Sequence, residues 1–219
     1  MWSSEVTNMI ITGIWETLYM TLVSTLAGYV IGLPMGIILT VSDKDGIKPN
    51  AVLYKILDVI ANIVRSVPFI ILLVLLIPFT RLVVGKSYGS TATIVPLVIA
   101  AAPYIARMVE SSLKEVDAGV IEAARSMGAS NFTIITKVML VEARTSLLVG
   151  ATITLGTILG YSAMSGAVGG GGLGAIAIRY GYTRWQTAIM IVTVILLIIL
   201  FQIFQTVGMK LADKFDHRK

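Results

Sequence analysis

The 219-residue sequence has few charged residues: Asp, Glu, Lys and Arg make up 13% of it, whereas hydrophobic residues make up 56%. Soluble domains carry about 25% charged residues. So few charges cannot cover a water-facing surface, which excludes an ordinary soluble protein and predicts that membrane lipid covers much of the chain. The length leaves no room for a second large domain, so we expect residues 1–219 to form a single domain.

Cysteine is absent, which excludes a disulfide framework and thiol chemistry. The first residues, "MWSSEVTNMI", lack the basic region that begins a cleaved signal peptide, so we expect the first apolar run to be retained. The sole histidine, His217, lies in a charged and solvated tail. No residues have the spacing of metal ligands, and no nucleophile has a base beside it. We therefore expect no catalytic site, no metal and no cofactor bound by this chain.

Charge-free runs predict an all-α membrane protein. A helix needs about 20 apolar residues to cross about 30 Å of hydrocarbon, and residues 17–42, 87–106 and 185–209 reach that length without a charge. Residues 145–178 are also free of charge, but they are too many for one crossing. The second half of this run is rich in glycine, so we expect one span followed by a loop or a short re-entrant piece.

A shorter run, residues 66–80, needs extra length to cross a membrane. The preceding residues 51–65 have apolar side chains at helical spacing, which predicts an amphipathic helix that leads into this span. The sequence thus predicts five transmembrane helices, at about 14–41, 58–82, 88–108, 144–164 and 184–208. Five of the six prolines fall within or beside these spans, which favours a bundle of bent helices over a simple anchor.

The basic residues predict the orientation of these helices. Thirteen of the 17 Lys and Arg residues fall on one side of a five-span arrangement, and such residues in short loops stay cytoplasmic. The N-terminus is therefore predicted outside and the C-terminus inside, with the largest cytoplasmic loop, about 108–143, between spans 3 and 4. This topology accounts for the net charge of +5 without a nucleic-acid partner.

The cytoplasmic loop contains the stretch "VIEAARSMGASNF", residues 120–132. Asp117 is a suitable N-cap for a short helix over residues 118–127. Gly128 fits the left-handed position that ends a helix, and Ser130 can cap the next one. The sequence therefore predicts a short helix, a sharp turn and a second helix, with Val120, Ala124 and Met127 on one stripe.

A DNA-reading helix-turn-helix has the same local pattern, but its recognition helix needs basic and amide side chains. The second helix here, "NFTIITKVML", offers one Lys and one Asn and runs into a membrane span. A membrane-anchored regulator is therefore a remote alternative, and we expect no nucleic acid. Two phosphate-binding look-alikes, the glycines at 169, 171 and 174 and "VVGKS" at 83–87, fall on the predicted outer side and are interpreted as flexible loops.

"EAARSMG", residues 122–128, resembles the E-A-A-x-x-x-G cytoplasmic loop of membrane subunits in binding-protein-dependent ABC importers. The family's loop usually ends with a Leu-Pro pair, where this sequence has Leu140 and Val141. Four further stretches resemble the methionine-type importer permeases across nearly the whole chain: "WETLYMTL", "RSVPFIILL", "IVPLVIAAAPYIARMVE" and "GYSAMSGAVGGGGLG". The last of these points to the methionine subfamily.

The resemblance implies a permease subunit in the bacterial inner membrane that imports methionine or a related amino acid by alternating access. Two copies of the chain would form the pore, two cytoplasmic ATP-binding subunits would power it, and an external substrate-binding lipoprotein would deliver substrate. The chain itself would not be an enzyme, since ATP is bound and hydrolysed by the partner. The alternatives are a permease for another small amino acid and a stand-alone secondary carrier, although nearly charge-free spans disfavour proton coupling.

The resemblance also assigns a coupling helix that docks into the ATP-binding subunit. Ala123 and Ala124 are small enough for close docking, and Gly128 sets the angle at which the chain leaves the helix. Glu122 would bond loop amides or a basic group of the partner. Alternatively, Glu122 is solvated and pairs with Arg125 at the i, i+3 spacing.

The sequence also suggests a gate at the outer end of the fourth span. Tyr161, Ser162 and Met164 lie where the fourth span meets the glycine-rich segment, and a flexible thioether there can close a narrow path. Ordinary core packing explains the same residues at least as well.

Glu16, beside Trp15, is interpreted as an interfacial carboxylate in preference to a substrate contact. Glycines at four-residue spacing predict close helix approach in the first and fourth spans: Gly28, Gly32 and Gly36, and Gly156 and Gly160.

Overall fold

The computed structural model describes residues 4–215, so His217 lies outside the described residues. All regular secondary structure in this range is helical, as the charge-free runs predicted. The α-helices are α1 Ser4–Ser42, α2 Ala51–Ser66, α3 Phe69–Leu75, α4 Ile77–Val84, α5 Ser90–Lys114, α6 Ala118–Ser126, α7 Asn131–Thr133, α8 Leu140–Glu142, α9 Arg144–Ser165, α10 Gly172–Ile176 and α11 Thr187–Lys214. Two π-helical segments, Ile134–Met139 and Ala177–Tyr182, and one 3-10 turn, Gly166–Val168, complete the order.

Four helical stretches within residues 4–215 are long and apolar enough to cross a membrane: α1, α5, Arg144–Tyr182 and α11. A fifth crossing is obtained if α2 and α3 count as one bent span. The chain is therefore an all-helical membrane protein with four or five candidate spans.

The second predicted span, residues 58–82, is not one continuous helix. α2 and α3 meet at 101°, and Val67, between them, is extended with φ −81° and ψ 124°. Pro68 explains the break, because its ring forces the preceding residue out of the helical region and its nitrogen has no hydrogen to donate. The expected lead-in helix exists, but it turns sharply before the apolar run begins.

The core of the molecule is built on the contact between α1 and α5. Gly28 lies against Ala101, and Gly36 lies against the Ala106 carbonyl. Residue numbers rise together along this contact, so the two helices run parallel. The predicted close approach of the first span is thus confirmed, with α5 as its partner.

The helices α9 and α11 run antiparallel. The Thr145 hydroxyl donates to the Phe215 carbonyl, and farther along the pair the Phe201 ring lies against Gly156. Gly160 has no heavy atom within 4 Å of an added Cβ. Of the two glycines expected to mediate helix approach in this span, only Gly156 does so among residues 4–215.

The fourth span is interrupted where the glycine-rich segment was expected to interrupt it. α9 ends at Ser165, and residues 169–171 have no helical structure before α10 begins at Gly172. Gly169, Gly171 and Gly172 have φ between 72° and 90°, a conformation that other residues seldom adopt. The G-x-G-x-x-G pattern therefore lies in a turn between helices rather than after a strand, and it lacks the context of a dinucleotide site.

Candidate functional site

The loop between α5 and α9 forms the predicted short helix and turn. Asp117 caps α6, its Oδ1 accepting a hydrogen bond from the Gly119 amide at 2.7 Å. Gly128 follows the helix with φ +80°, which is the left-handed conformation expected after a helix end. The Ser130 hydroxyl then accepts from the Thr133 amide at 3.2 Å and caps the next helix. The local prediction is confirmed, with the helix ending at Ser126 instead of residue 127.

After the turn, the chain stays helical through α7, the π-helical Ile134–Met139 and α8. Val141, which stands where the importer family usually has proline, lies inside α8. The turn into α9 comes two residues later, at Ala143, with φ −79° and ψ −1°. α8 and α9 are thus separated by a single turn residue, and no proline marks the junction.

One face of α6 packs on the rest of the chain. Ala124 is 5% exposed and joins the buried core that contains Ile134 and Met139. Glu122 and Ala123 are exposed. Ala124 therefore secures the helix to its own chain, while Glu122 and Ala123 remain available to a partner.

Large apolar side chains are exposed around α6. Met127 is 82% exposed and Phe132 is 75% exposed, and Val120 on α6 is exposed as well. Of the stripe expected from the sequence, only Ala124 is buried. These side chains lie in the loop outside the candidate spans, and clusters of exposed apolar side chains mark interaction surfaces.

Arg125 links α6 to the loop between α1 and α2. Its guanidinium donates to the Ile47 carbonyl at 2.7 Å, and a cavity of about 470 Å³ lies between that loop and α6. Glu122 lines this cavity and has no ion-pair partner within residues 4–215. The alternative pairing of Glu122 with Arg125 is thus not formed, because Arg125 is directed toward Ile47.

A buried charge network, which sequence reasoning missed, lies at the same end of the molecule. Glu110 of α5 is 4% exposed and accepts hydrogen bonds from Arg107 at 2.6 Å and Lys114 at 2.8 Å. Arg107 also pairs with Asp58 of α2 and donates to Asn62 at 3.0 Å. These bonds hold α2 across the end of α5.

Lys114 extends the network to the loop after α1. Its Nζ lies 2.6 Å from Asp43 Oδ2, and this hydrogen bond lowers the pKa of Asp43 below its ordinary value of 3.8. A carboxyl group with a lowered folded-state pKa stabilises the fold above its unfolded pKa. That contribution is lost as the pH falls through the lowered value.

We expect Lys114→Met to lower the thermal midpoint by about 2–4 °C at neutral pH, because Asp43 and the buried Glu110 each lose a charged donor. The variant should also lose less stability than the parent as the pH falls from about 5 through 3.8 and below, since the Asp43 contribution is already gone. Thermal unfolding of the detergent-solubilised chain across this range measures both effects. Lys44→Met is the matched control, because Lys44 and Asp45 form an ion pair that is 85% and 84% exposed. Equal effects of the two substitutions would contradict the prediction.

The three residues of the predicted gate face different surroundings. The Tyr161 ring stacks on Phe69 of α3, with centroids 4.4 Å apart and planes at 3°. Ser162 is 1% exposed and donates to the Leu159 carbonyl at 2.8 Å. Met164 is 51% exposed. Tyr161 therefore joins α9 to the bent second span, Ser162 packs inside the bundle, and Met164 lies on the surface of the described residues.

Most of the chain matches the model of a known protein family. The family described as "Binding-protein-dependent transport system inner membrane component" matches residues 28–208. A probable D-methionine transport system permease protein from Vibrio cholerae is 48% identical over 217 residues, 99% of this chain and 96% of the relative. The D-methionine transport system permease protein of Escherichia coli is 55% identical over 158 residues, 72% of this chain and 73% of the relative.

Solved structures give the same result. A chain of the MetNI methionine ABC transporter in an inward-facing conformation superposes with a TM-score of 0.96 at 49% identity, over 99% of this chain and all of that one. A chain of an amino acid ABC transporter solved with histidines has a TM-score of 0.73 at 22% identity, over 98% of this chain and 96% of that one. The second likeness concerns the fold alone.

Proposed function

This chain belongs to the family of binding-protein-dependent transport system inner membrane components, and on that premise we propose that it is the permease subunit of an ATP-driven methionine importer. The observation that carries the proposal is the similarity to a methionine permease over 99% of the chain at 48% identity. The protein is a multi-pass protein of the bacterial inner membrane and is not itself an enzyme. ATP hydrolysis belongs to a separate subunit.

We propose that the chain crosses the membrane five times, with its N-terminus outside. The parallel pairing of α1 and α5 supports this count, because residues 43–89 must then return the chain from the end of α1 to the start of α5. Contacts between the predicted cytoplasmic ends of the helices agree with this count. Asp43 meets Lys114, Ser112 bonds Ser146 and Thr145 meets Phe215, so the helix ends predicted to be cytoplasmic lie together.

Single cysteines test this orientation, since the chain has none of its own. We expect Ser87→Cys, between α4 and α5, to react with a membrane-impermeant thiol reagent in intact cells, and Lys214→Cys, at the end of α11, to react only after lysis. Ser3→Cys, which lies outside the described residues, should behave like Ser87→Cys. The parent chain is the unlabelled control. Labelling of Lys214→Cys in intact cells with Ser87→Cys protected would reverse the orientation.

We propose that α6 is the coupling helix that docks on the ATP-binding subunit. Three features support this role: the exposed Glu122 and Ala123, the uncovered apolar side chains of Met127 and Phe132, and the attachment of the helix to its own chain through Ala124. A docked helix held this firmly passes motion of the ATP-binding subunit to the spans. Arg125 carries the same motion to the loop that begins α2.

The remaining components follow from the same proposal. A second copy of the chain completes the pore, and an external binding protein delivers the substrate. The described conformation resembles a transporter chain in an inward-facing conformation, and we assign it to that state. ATP and the loaded binding protein shift the equilibrium to the outward-facing state only as far as they bind it more tightly.

We place the gate at Tyr161, Ser162 and Met164, at the outer end of α9. The exposed Met164 is the member that can meet substrate or the second copy. The Tyr161 ring stacks on Phe69 and so connects this segment to α3. A movement of α2 and α3 is therefore transmitted to the gate through this ring contact.

Reconstitution tests the proposed function. The chain, purified with its ATP-binding subunit and placed in liposomes, should take up labelled methionine when ATP and the external binding protein are supplied. The control is the same preparation with non-hydrolysable ATP. Uptake that persists without ATP hydrolysis would favour a secondary carrier. ATP-dependent uptake of another amino acid in place of methionine would move the assignment to another substrate.

A further inference from the structure

The last residue of the glycine loop, residues 169–172, and the residue that follows it donate hydrogen bonds to two side chains of α1. Glu16 Oε2 accepts from the Gly172 amide at 2.6 Å, and Thr17 Oγ1 accepts from the Leu173 amide at 2.9 Å. The first amides of a helix have no partner within the helix and need one elsewhere. Gly171, which precedes α10, has no side chain to provide it. The cap of α10 therefore comes from a helix 156 residues away in the sequence.

The backbone of the loop permits the carboxylate to approach. Gly171 has φ +90°, and an added Cβ there would lie 2.9 Å from Glu16 Oε2. Gly172 has φ +72°, and its added Cβ would lie 2.7 Å from Thr17 Oγ1. Both positions thus require glycine on two grounds, the left-handed conformation and the space that the α1 side chains occupy.

The same loop is bonded to two other helices. The Gly89 amide, at the start of α5, donates to the Gly169 carbonyl at 2.8 Å. The Gly170 amide donates to the carbonyl of Ser165, the last residue of α9, at 2.9 Å. The loop therefore joins α1, α5 and α9, and it begins a few residues after Met164.

We propose that Glu16 is a positioning residue for the gate: by accepting the Gly172 amide, it fixes the glycine loop and through it the outer end of α9. This inference rests on the proposed function, since it deepens the role of the Tyr161–Met164 segment. Gly172 is itself buried, so when Glu16 is removed its amide loses a fixed charged acceptor and keeps at most a mobile water from the cavity of about 390 Å³ that both residues line. Without Glu16 the loop relaxes, and the end of α9 loses its fixed position.

The test compares Glu16→Ala, which removes the acceptor, with Glu16→Gln, whose amide oxygen can accept the same bond. Glu5→Ala is the matched control, an exposed carboxylate on the same helix. Each variant is made in the full chain, assembled with its ATP-binding subunit in nanodiscs. Hydrogen exchange of the peptide that contains Gly172 and Leu173 reports the bond. The labelling rate of a cysteine introduced by Met164→Cys reports the gate.

In Glu16→Ala we expect exchange of this peptide to rise about tenfold, with faster labelling at position 164, and kcat of uptake to fall about tenfold at unchanged KM. Glu16→Gln and Glu5→Ala should both stay close to the parent. Unchanged exchange in Glu16→Ala would overturn the proposal. So would a glutamine variant that behaves like alanine, or raised exchange with unaltered labelling and uptake.

Two features keep the test decisive. If Glu16→Ala does not assemble, Glu16→Asp shortens the side chain and withdraws the carboxylate from the Gly172 amide; it should raise the same exchange, and no rise there would overturn the proposal. Exchange and labelling need no methionine. If the parent fails to transport methionine while both readouts change as expected, the proposed substrate fails and the positioning role of Glu16 stands.

Discussion

Replacing Gly128 by valine is expected to reduce ATP-driven uptake about tenfold or more while the chain still inserts in the membrane. Gly128 has φ +80°, and a β-branched residue in that region is an outlier. The left-handed conformation costs an L-residue about 1–2 kcal/mol, and each 1.4 kcal/mol corresponds to about tenfold in an equilibrium. The short helix α6 would relieve the strain by tilting or unwinding, which displaces the exposed Glu122 and Ala123 from their docking position.

The environment of Gly128 makes this substitution a test of backbone conformation alone. An added Cβ would have no heavy atom of residues 4–215 within 4 Å, so the Cβ of valine meets no steric obstacle among the described residues. Gly128→Asn is the matched control, because asparagine tolerates the left-handed region. Binding-protein-stimulated ATPase activity and uptake in liposomes should survive in the asparagine variant and be lost in the valine variant. Equal loss in both variants, or normal uptake in the valine variant, would remove the support for α6 as the coupling helix.

The accuracy of the prediction around α6 has a physical reason. Helix caps are local, since Asp117, Gly128 and Ser130 each act on backbone groups within a few residues, and their residue types identify their roles. The same holds for the end of α9, where a run of glycines replaces helix formers. Features decided within one or two turns of a helix were therefore predictable from sequence.

Features decided between helices were not predictable in the same way. Arg107, Glu110 and Lys114 are spaced to share one face of α5, a signal visible in the sequence, but their partners Asp58 and Asp43 depend on where α2 and the preceding loop pack. The cap from Glu16 on Gly172 spans 156 residues and leaves no local pattern. The prolines were recognised as a source of bending. The size of the bend at Pro68, 101°, depends on where α2 and α3 pack on the other helices, which the local sequence does not show.

Glycine spacing gave two predictions of equal form, and the structure separates them. Gly32 is buried in α1, where an added Cβ would lie 2.6 Å from the Ala102 carbonyl oxygen and 2.7 Å from Ile105 Cβ. Gly160 is exposed on α9, and an added Cβ there meets nothing within 4 Å. The sequence pattern predicts a helix contact at both glycines. Only the packed structure shows that Gly32 contacts α5 and that Gly160 contacts no helix among the described residues.

Gly32→Val is therefore expected to lower the thermal midpoint of the purified chain by about 5–10 °C, because overpacking costs about 1–3 kcal/mol. The obstacle is a backbone carbonyl on α5, which cannot move aside as a side-chain end can, so α1 and α5 must separate along their shared face. Gly160→Val is the matched control and should leave the midpoint unchanged or raise it, since glycine weakens a helix interior by about 0.5–1 kcal/mol. Thermal unfolding in detergent, followed by circular dichroism, measures both variants. A midpoint for Gly32→Val within the error of the parent would mean that the α1–α5 contact does not carry the fold. Equal decreases of the thermal midpoint in the two variants would mean that the effect does not come from the contact between Gly32 and Ala102.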